Sequence, residues 1–435
     1  MTRVLGIELR RSAALGAAPL IAVAGTILLH ATAGRWSAGW MALATTQREY
    51  LALLSPLAMA AGAWQSYREH RANVAELFTS AARPRPRRIV PVLATTAVAV
   101  LLAYLVTLLA AAPRIAGTAR YLPSAAFVVV AVGLVAMVAS VWLGLAVGRL
   151  VPALATAPAL AVAGFALLVF APHTLPDGGI ATAFSPMGTS MFTDYDTVDG
   201  RVSLAQALWI AAIAAAAVVL LAVRNRRLAL TALVPLVAGA TATALVVPTG
   251  DAYARGTVDP AAQRPVCTED TPRVCVSRAH EGLLPEVVPG ARRALALLAR
   301  TGVAEAHEDT TTYTPPTAPK PRPDIALMPV AVDRHGHLAH PDRLELSLLV
   351  GAFTGPAACR DTSDFDVATA AAYWLLDREP TLGLDGSPLL GPEPVALWKR
   401  LKMMPKGEAQ ARVSAVRQAA QRCQDTSDLL TRSPR

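Results

Sequence analysis

Ser66–Arg88 reads SYREHRANVAELFTSAARPRPRR, with arginines at 68, 71, 83, 85, 87 and 88. Long apolar runs flank it on both sides, so a chain that reads as built for hydrocarbon leaves the lipid here and returns. The segment 66–88 is therefore expected to be a loop in water. Its arginines favour the cytoplasmic side, where short Lys/Arg-rich loops are retained. The middle, Asn73–Ala82, has no Gly or Pro and spaces Val74, Leu77, Phe78 and Ala81 along one helical face. That pattern fits an amphipathic helix lying against the membrane and facing a cytoplasmic partner. It fits equally a solvated loop whose arginines only set topology.

Outward from this loop, the composition is that of a membrane protein. Hydrophobic residues make up 54% of 435 residues and charged residues 16%, against roughly a quarter in ordinary soluble chains. Mean hydropathy is +0.41. A formal net charge of +9 would suit nucleic acid, but the arginine clusters sit beside apolar runs, where they orient the chain instead. Only four of the 40 basic residues are lysines, at 320, 399, 402 and 406. With heavy use of alanine, that bias points to a GC-rich bacterial genome and hence to a bacterial cell membrane.

Met1–Ser12 carries Arg3, Arg10 and Arg11 with Leu5 and Leu9 on one face, and is expected to lie in the interface as an N-terminal helix over 1–12. Seven apolar runs then predict a transmembrane domain over 13–248, with spans at 13–33, 47–65, 89–112, 124–147, 151–171, 205–223 and 228–248. The first also fits a secretory signal peptide, since Ala31-Thr-Ala33 resembles a cleavage site, although the run is long for one. The second is Tyr50–Gln65 by composition alone, short for a hydrocarbon layer roughly 30 Å thick, and is extended backwards to cross it. With the N-terminus inside, the inner segments hold 13 arginines and the outer ones 5. That asymmetry fixes the expected orientation and, after an odd number of spans, puts everything beyond 248 outside.

The apolar runs, bounded by composition, contain no Asp, Glu, Lys or Arg. Charges in a membrane interior mark ion pathways, proton relays and voltage sensors, so their lack argues against a self-powered, ion-coupled transporter. The fourth run instead repeats small residues every four positions, Ala136, Ser140, Gly144 and Gly148, a stripe that lets a helix approach a neighbour closely. The neighbour is either inside the bundle or a second copy of the chain. The outer segment Pro172–Leu204 mixes turn signals with Phe184, Met187, Met191 and Phe192, then Asp194, Asp196 and Asp199. It reads as a short re-entrant pair or as a surface loop.

The tail 249–435 is charged, proline-bearing and long enough for its own core. All four cysteines, at 267, 275, 359 and 423, lie in it, and an even set confined to an outer domain reads as disulfides rather than as buried thiols. Of three connectivities, Cys267–Cys275 with Cys359–Cys423 is preferred, because the first two flank a Pro-containing turn. Each bond would contribute about 2–4 kcal/mol. Strands are expected at 273–277 and 325–332, and helices near 283–299, 341–352, 366–378, 393–403 and 408–422. The domain is thus α+β or mostly helical.

Catalytic patterns are missing from the sequence. None of the lysines sits in a Gly-x-x-x-x-Gly-Lys-Ser/Thr phosphate loop, no His-Glu-x-x-His occurs, and no Gly-x-Ser-x-Gly elbow is present. The histidines at 335, 337 and 340 could hold zinc if the fold gathered them, or could lie in an exposed loop. The expected reading is no enzyme, and no cofactor bound by this chain.

The order of these features resembles the permease subunits of type-two ABC exporters over about residues 1–225. The shared pattern is the interfacial segment Arg3–Arg11, two spans, the cytoplasmic segment Arg68–Arg88 with its Val74–Phe78 core, and four more spans with Pro172–Leu204 before the last. The resemblance implies that the loop is a coupling helix docking on a separate ATPase, with Arg68, Arg71, Glu76, Leu77 and Phe78 at the contact. It implies that ATP is bound by that partner, and that a second permease copy or paralogue completes the transporter within the lipid bilayer. No nucleic acid partner is expected, since the arginine clusters sit beside apolar runs. The seventh span and the tail lie outside the six-helix plan, though a class of high-GC bacterial ABC permeases carries a similar tail. The competing expectation is a membrane-anchored sensor or assembly factor that binds a ligand through the tail; a membrane enzyme would rest on the histidines alone.

Overall fold

The computed structural model describes residues 14–72, 85–174, 183–187, 193–223, 226–247, 257–310, 322, 324–355, 359, 362–381, 383 and 391–431. The chain divides into two compact units, 1–116 with 122–259, and 117–121 with 260–435. The sequence reading draws its boundary eleven residues earlier, at the end of the last apolar run.

The first unit is helical. In chain order it contains α1 (Ala14–Ala31), α2 (Trp40–Glu49), α3 (Leu51–Arg71), α4 (Arg85–Ala111), α5 (Ser124–Leu150), α6 (Thr156–Thr174), α7 (Gly200–Ala222) and α8 (Leu233–Val246). A short turn of helix, Arg226–Ala229, leads into α8. Helix starts follow local chemistry: Pro123 is extended just ahead of α5, and the Asp199 carboxylate accepts from the Arg201 backbone N–H at 2.7 Å to cap α7. Four stretches are long and apolar enough to cross a membrane: Ile89–Arg114, Ser124–Leu150, Gly200–Ala222 and Arg227–Val246. Gly16–Ala31 and Thr156–Phe170 are apolar but shorter.

The second expected span is redrawn by the structure. Gln47–Glu49 end a separate helix, α2, and the helix that follows runs on to Arg71 instead of stopping at Gln65. The sequence places 40–46 in an outer segment and 47–49 at the start of the second span, extended backwards from Tyr50. In the structure Met41–Arg48 are all buried.

Backbone contact between α3 and α5 holds the middle of this unit. A Cβ on Gly62 would collide with the Val141 carbonyl, and one on Gly144 with the Met59 carbonyl; one on Gly148 would come within 2.6 Å of Ala63 Cα. The two helices run parallel and touch along the small-residue stripe, so Gly144 and Gly148 meet α3 of the same chain rather than a second copy. Ser140 turns its hydroxyl back to the Ala136 carbonyl at 2.8 Å. Leu51, Leu54 and Ala58 with Ala136, Met137 and Val141 form the apolar core beside this seam.

The only described strands in the first unit are β1 (Asp196–Thr197) and β2 (Thr257–Val258), an antiparallel pair. The second unit carries a four-stranded sheet in the order β3 (Pro265–Cys267), β4 (Arg273–Ser277), β5 (Glu305–Glu308) and β6 (Ile325–Met328). β3 and β4 are antiparallel; β4, β5 and β6 are parallel. A parallel step needs a crossover, supplied by α9 (Leu284–Leu298). After β6 come α10 (Leu344–Thr354), α11 (Phe365–Leu375), α12 (Glu393–Met403) and α13 (Lys406–Gln421). Val274, Val276, Ala306, Ala326 and Met328 point to one face and join Leu295, Phe353 and Val413 in the core. Alternation sends Cys275, Glu305 and His307 to the other face.

Candidate functional site

Arg48, near the end of α2, is fully buried. Its Nη2 donates to Gln206 Oε1, and its Nε donates to the Pro186 carbonyl at 3.1 Å. Gln206, in the second turn of α7, donates from Nε2 to the carbonyls of Ser185 and Met187 at 3.2 and 3.1 Å. Gln47 faces α4, where its Nε2 donates to the Tyr104 carbonyl and the Thr107 hydroxyl, each at 2.7 Å. Gln47 Oε1 and the Tyr104 hydroxyl oxygen are buried with no hydrogen-bond partner among the described residues. The result is a polar interior in which a guanidinium, whose planar donors suit oxygen acceptors, donates to a side-chain amide and a backbone carbonyl.

This interior corrects an expectation. The apolar runs do lack charge, but the helical unit does not: Arg48, just ahead of the Tyr50–Gln65 run and inside the expected span 47–65, is buried. The inference from an uncharged interior to an external energy source therefore loses its premise. The signal was present in the pattern: Met41-Ala-Leu-Ala-Thr-Thr-Gln47 is a good helix former, and Arg48 breaks only its hydropathy.

At the other end of α3, Arg68, His70 and Arg71 occupy the exposed last turn, where cations complement the helix dipole. Two contacts couple this end to its neighbours. The Ser66 hydroxyl donates to the Leu145 carbonyl of α5 at 2.8 Å. Arg149 at the end of α5 donates from Nη1 to the Leu221 carbonyl of α7, also at 2.8 Å. Glu76, Leu77 and Phe78, the expected ATPase contact, lie outside the described residues, as do the interfacial segment 1–12 and Met191 and Phe192.

In the second unit disulfides join Cys267 to Cys275 and Cys359 to Cys423. The histidine run is not gathered into a ligand set among the described residues. Instead Asp333 accepts from the backbone N–H groups of His335 and His337 at 2.7 and 2.9 Å, shaping a turn. His337 Nδ1 lies 2.7 Å from Glu286 Oε1, a hydrogen bond and ion pair that raises the imidazole pKa above its ordinary value. A cavity of about 280 Å³ opens between the end of α9 and α13, lined by Thr301, Asp324, Ser414, Arg417, Gln418 and Gln421. Arg417 donates from Nη1 to the Thr301 carbonyl. Burial pushes its pKa down to about 10, against the pull of Asp324. Sequence reading missed this cavity, because its residues come from three separate elements. No family model, curated protein or solved structure matches the chain.

Proposed function

We propose that this protein is the membrane-spanning permease subunit of an ABC transporter, an exporter, driven by a separate ATPase that docks on the loop 66–88. The reading takes the seven apolar stretches as spans of a bacterial cell membrane, with the N-terminus cytoplasmic and the disulfide-bonded second unit outside. A second permease copy or paralogue would complete the pathway. The observation that carries it is the coupling at the arginine-bearing end of α3. The loop continues directly from that helix, Ser66 is bonded to α5, and α5 is bonded through Arg149 to α7. A push on the loop therefore reaches three helices at once. The sequence holds no phosphate-binding loop of its own, which fits hydrolysis on a partner. The test is the double substitution Glu76→Arg with Phe78→Asp. Loss of ATPase co-purification with the protein still folded is expected; retained binding would contradict the reading.

A second reading, a membrane-held sensor, draws on the cavity beside Arg417. Arg417 and Asp324, with hydroxyls and amides around about 280 Å³, suit a small polar ligand. Under this reading Arg417→Met abolishes the response to a ligand.

A further inference from the structure

We propose that Cys267, Cys275, Glu305 and His307 form a Zn(II) site that opens when the Cys267–Cys275 disulfide is reduced. The sheet register brings the four together. Cys267 is the cross-strand partner of Cys275, and Cys275 is the cross-strand partner of His307. Glu305 stands two residues before His307 and shares its face, because side chains alternate along a strand. Donor atoms of Cys275, Glu305 and His307 all lie within 4.8 Å of one another. Cys267 Sγ is bonded to Cys275 Sγ, so it is within reach as well. Donors in a tetrahedral zinc site, at bonds of about 2.0–2.3 Å, are about 3.5 Å apart, so a contraction of about an ångström closes the set.

The donor chemistry fits zinc better than a hard cation. Two thiolates, an imidazole and a carboxylate are ligands that zinc accepts tetrahedrally, whereas calcium and magnesium take oxygen. The face is already arranged for a cation. His307 Nε2 and Glu305 Oε2 lie 2.9 Å apart in a hydrogen bond, whose place a metal would take. Arg273 is 3.6 Å from the other carboxylate oxygen, Oε1, and steadies the group from the far side.

In the disulfide state the sulfurs are spent on each other, and only Glu305 and His307 remain as ligands. A dithiol reductant passes two electrons and two protons to the Cys267–Cys275 bond, giving two protein thiols and its own cyclic disulfide. Zn(II) then binds both sulfurs and displaces the two thiol protons. The same side chains thus hold either a disulfide or a metal, whichever overall function is right.

The test uses the full-length protein in detergent, reduced with dithiothreitol, freed of it under argon, and titrated with Co(II) and then Zn(II). One Co(II) per chain with a thiolate charge-transfer band, displaced by Zn(II), is expected, and the oxidised protein should show neither. Cys267→Ser with Cys275→Ser should abolish the band. His307→Gln and Glu305→Gln keep the disulfide, and their oxidised forms should match the parent in circular dichroism. Under reduction each should weaken binding by more than the roughly 10–100-fold that an outer-shell partner costs. A band that survives the double serine change would place the metal on Cys359 and Cys423 and overturn the proposal. Equal affinity in parent and His307→Gln would mean thiols binding from a disordered chain, and would overturn it too.

Discussion

Arg48 and Gln206 are 158 residues apart in sequence and meet inside the helical unit, where the guanidinium donates to the side-chain amide oxygen. Gln206 passes the contact on to the carbonyls of Ser185 and Met187. One buried cation thus organises α2, the start of α7 and the segment between α6 and α7. Desolvating a guanidinium is costly, so each dipole around it matters. In a double-mutant cycle on Arg48→Met and Gln206→Leu, a coupling of about 1–3 kcal/mol is expected, read from unfolding in detergent. Simple additivity would show that the two side chains do not act together.

Close approach of α3 and α5 depends on residues without a side chain. Gly144→Ala drives a methyl into the Met59 carbonyl and should cost about 1–3 kcal/mol through overpacking. Gly16→Ala, where a Cβ meets nothing within 4 Å, serves as the control and should not destabilise. Thermal melts of both variants check the difference.

These two sites show where the sequence was readable. Apolar runs locate helices to within a few residues: 89–112 against Arg85–Ala111, and 124–147 against Ser124–Leu150. In the tail the strand at 273–277 and the helix at 393–403 coincide with their expected bounds, since local periodicity decides both. The helix Trp40–Glu49 was legible in Met41–Ala44, but the burial of Arg48 was not, because its hydrogen-bond partners Pro186 and Gln206 lie more than a hundred residues away. β5 was missed for a related reason. Glu305-Ala-His-Glu308 reads as surface, but Glu308 is buried by its bond to His280, 28 residues earlier.

That buried pair carries a prediction of its own. Glu308 accepts from the Ser277 backbone N–H at 2.6 Å and lies 2.5 Å from His280 Nδ1, with both side chains about 1% exposed. Glu308→Ala strands an imidazole and an amide in the core. A loss of about 1–3 kcal/mol is expected for leaving buried hydrogen-bonding groups without their partner. Denaturant unfolding measures it, and a change below about 1 kcal/mol would show that water replaces the carboxylate.

His337 supplies the pH dependence. Its hydrogen bond to Glu286 and that carboxylate's charge raise the imidazole pKa above the ordinary 6.5. The folded state therefore holds the proton more tightly than the unfolded chain. The stabilisation is fully present below about pH 6.5 and is lost as pH rises through the raised folded value. Because the pair is exposed and screened, the effect is small. Melting temperature should fall slightly over that window in the parent protein, and His337→Asn should flatten the slope. An unchanged slope would assign the pH dependence to another group.

The permease role proposed above requires a separate ATPase, since the sequence holds no phosphate-binding loop. Affinity purification of the tagged full-length protein from its native membrane tests this most directly. Recovery of an ATP-hydrolysing subunit in stable proportion to the tagged chain, lost on removal of residues 73–82, is the expected result. Recovery of the protein with no ATPase, under conditions that keep membrane complexes intact, would contradict it.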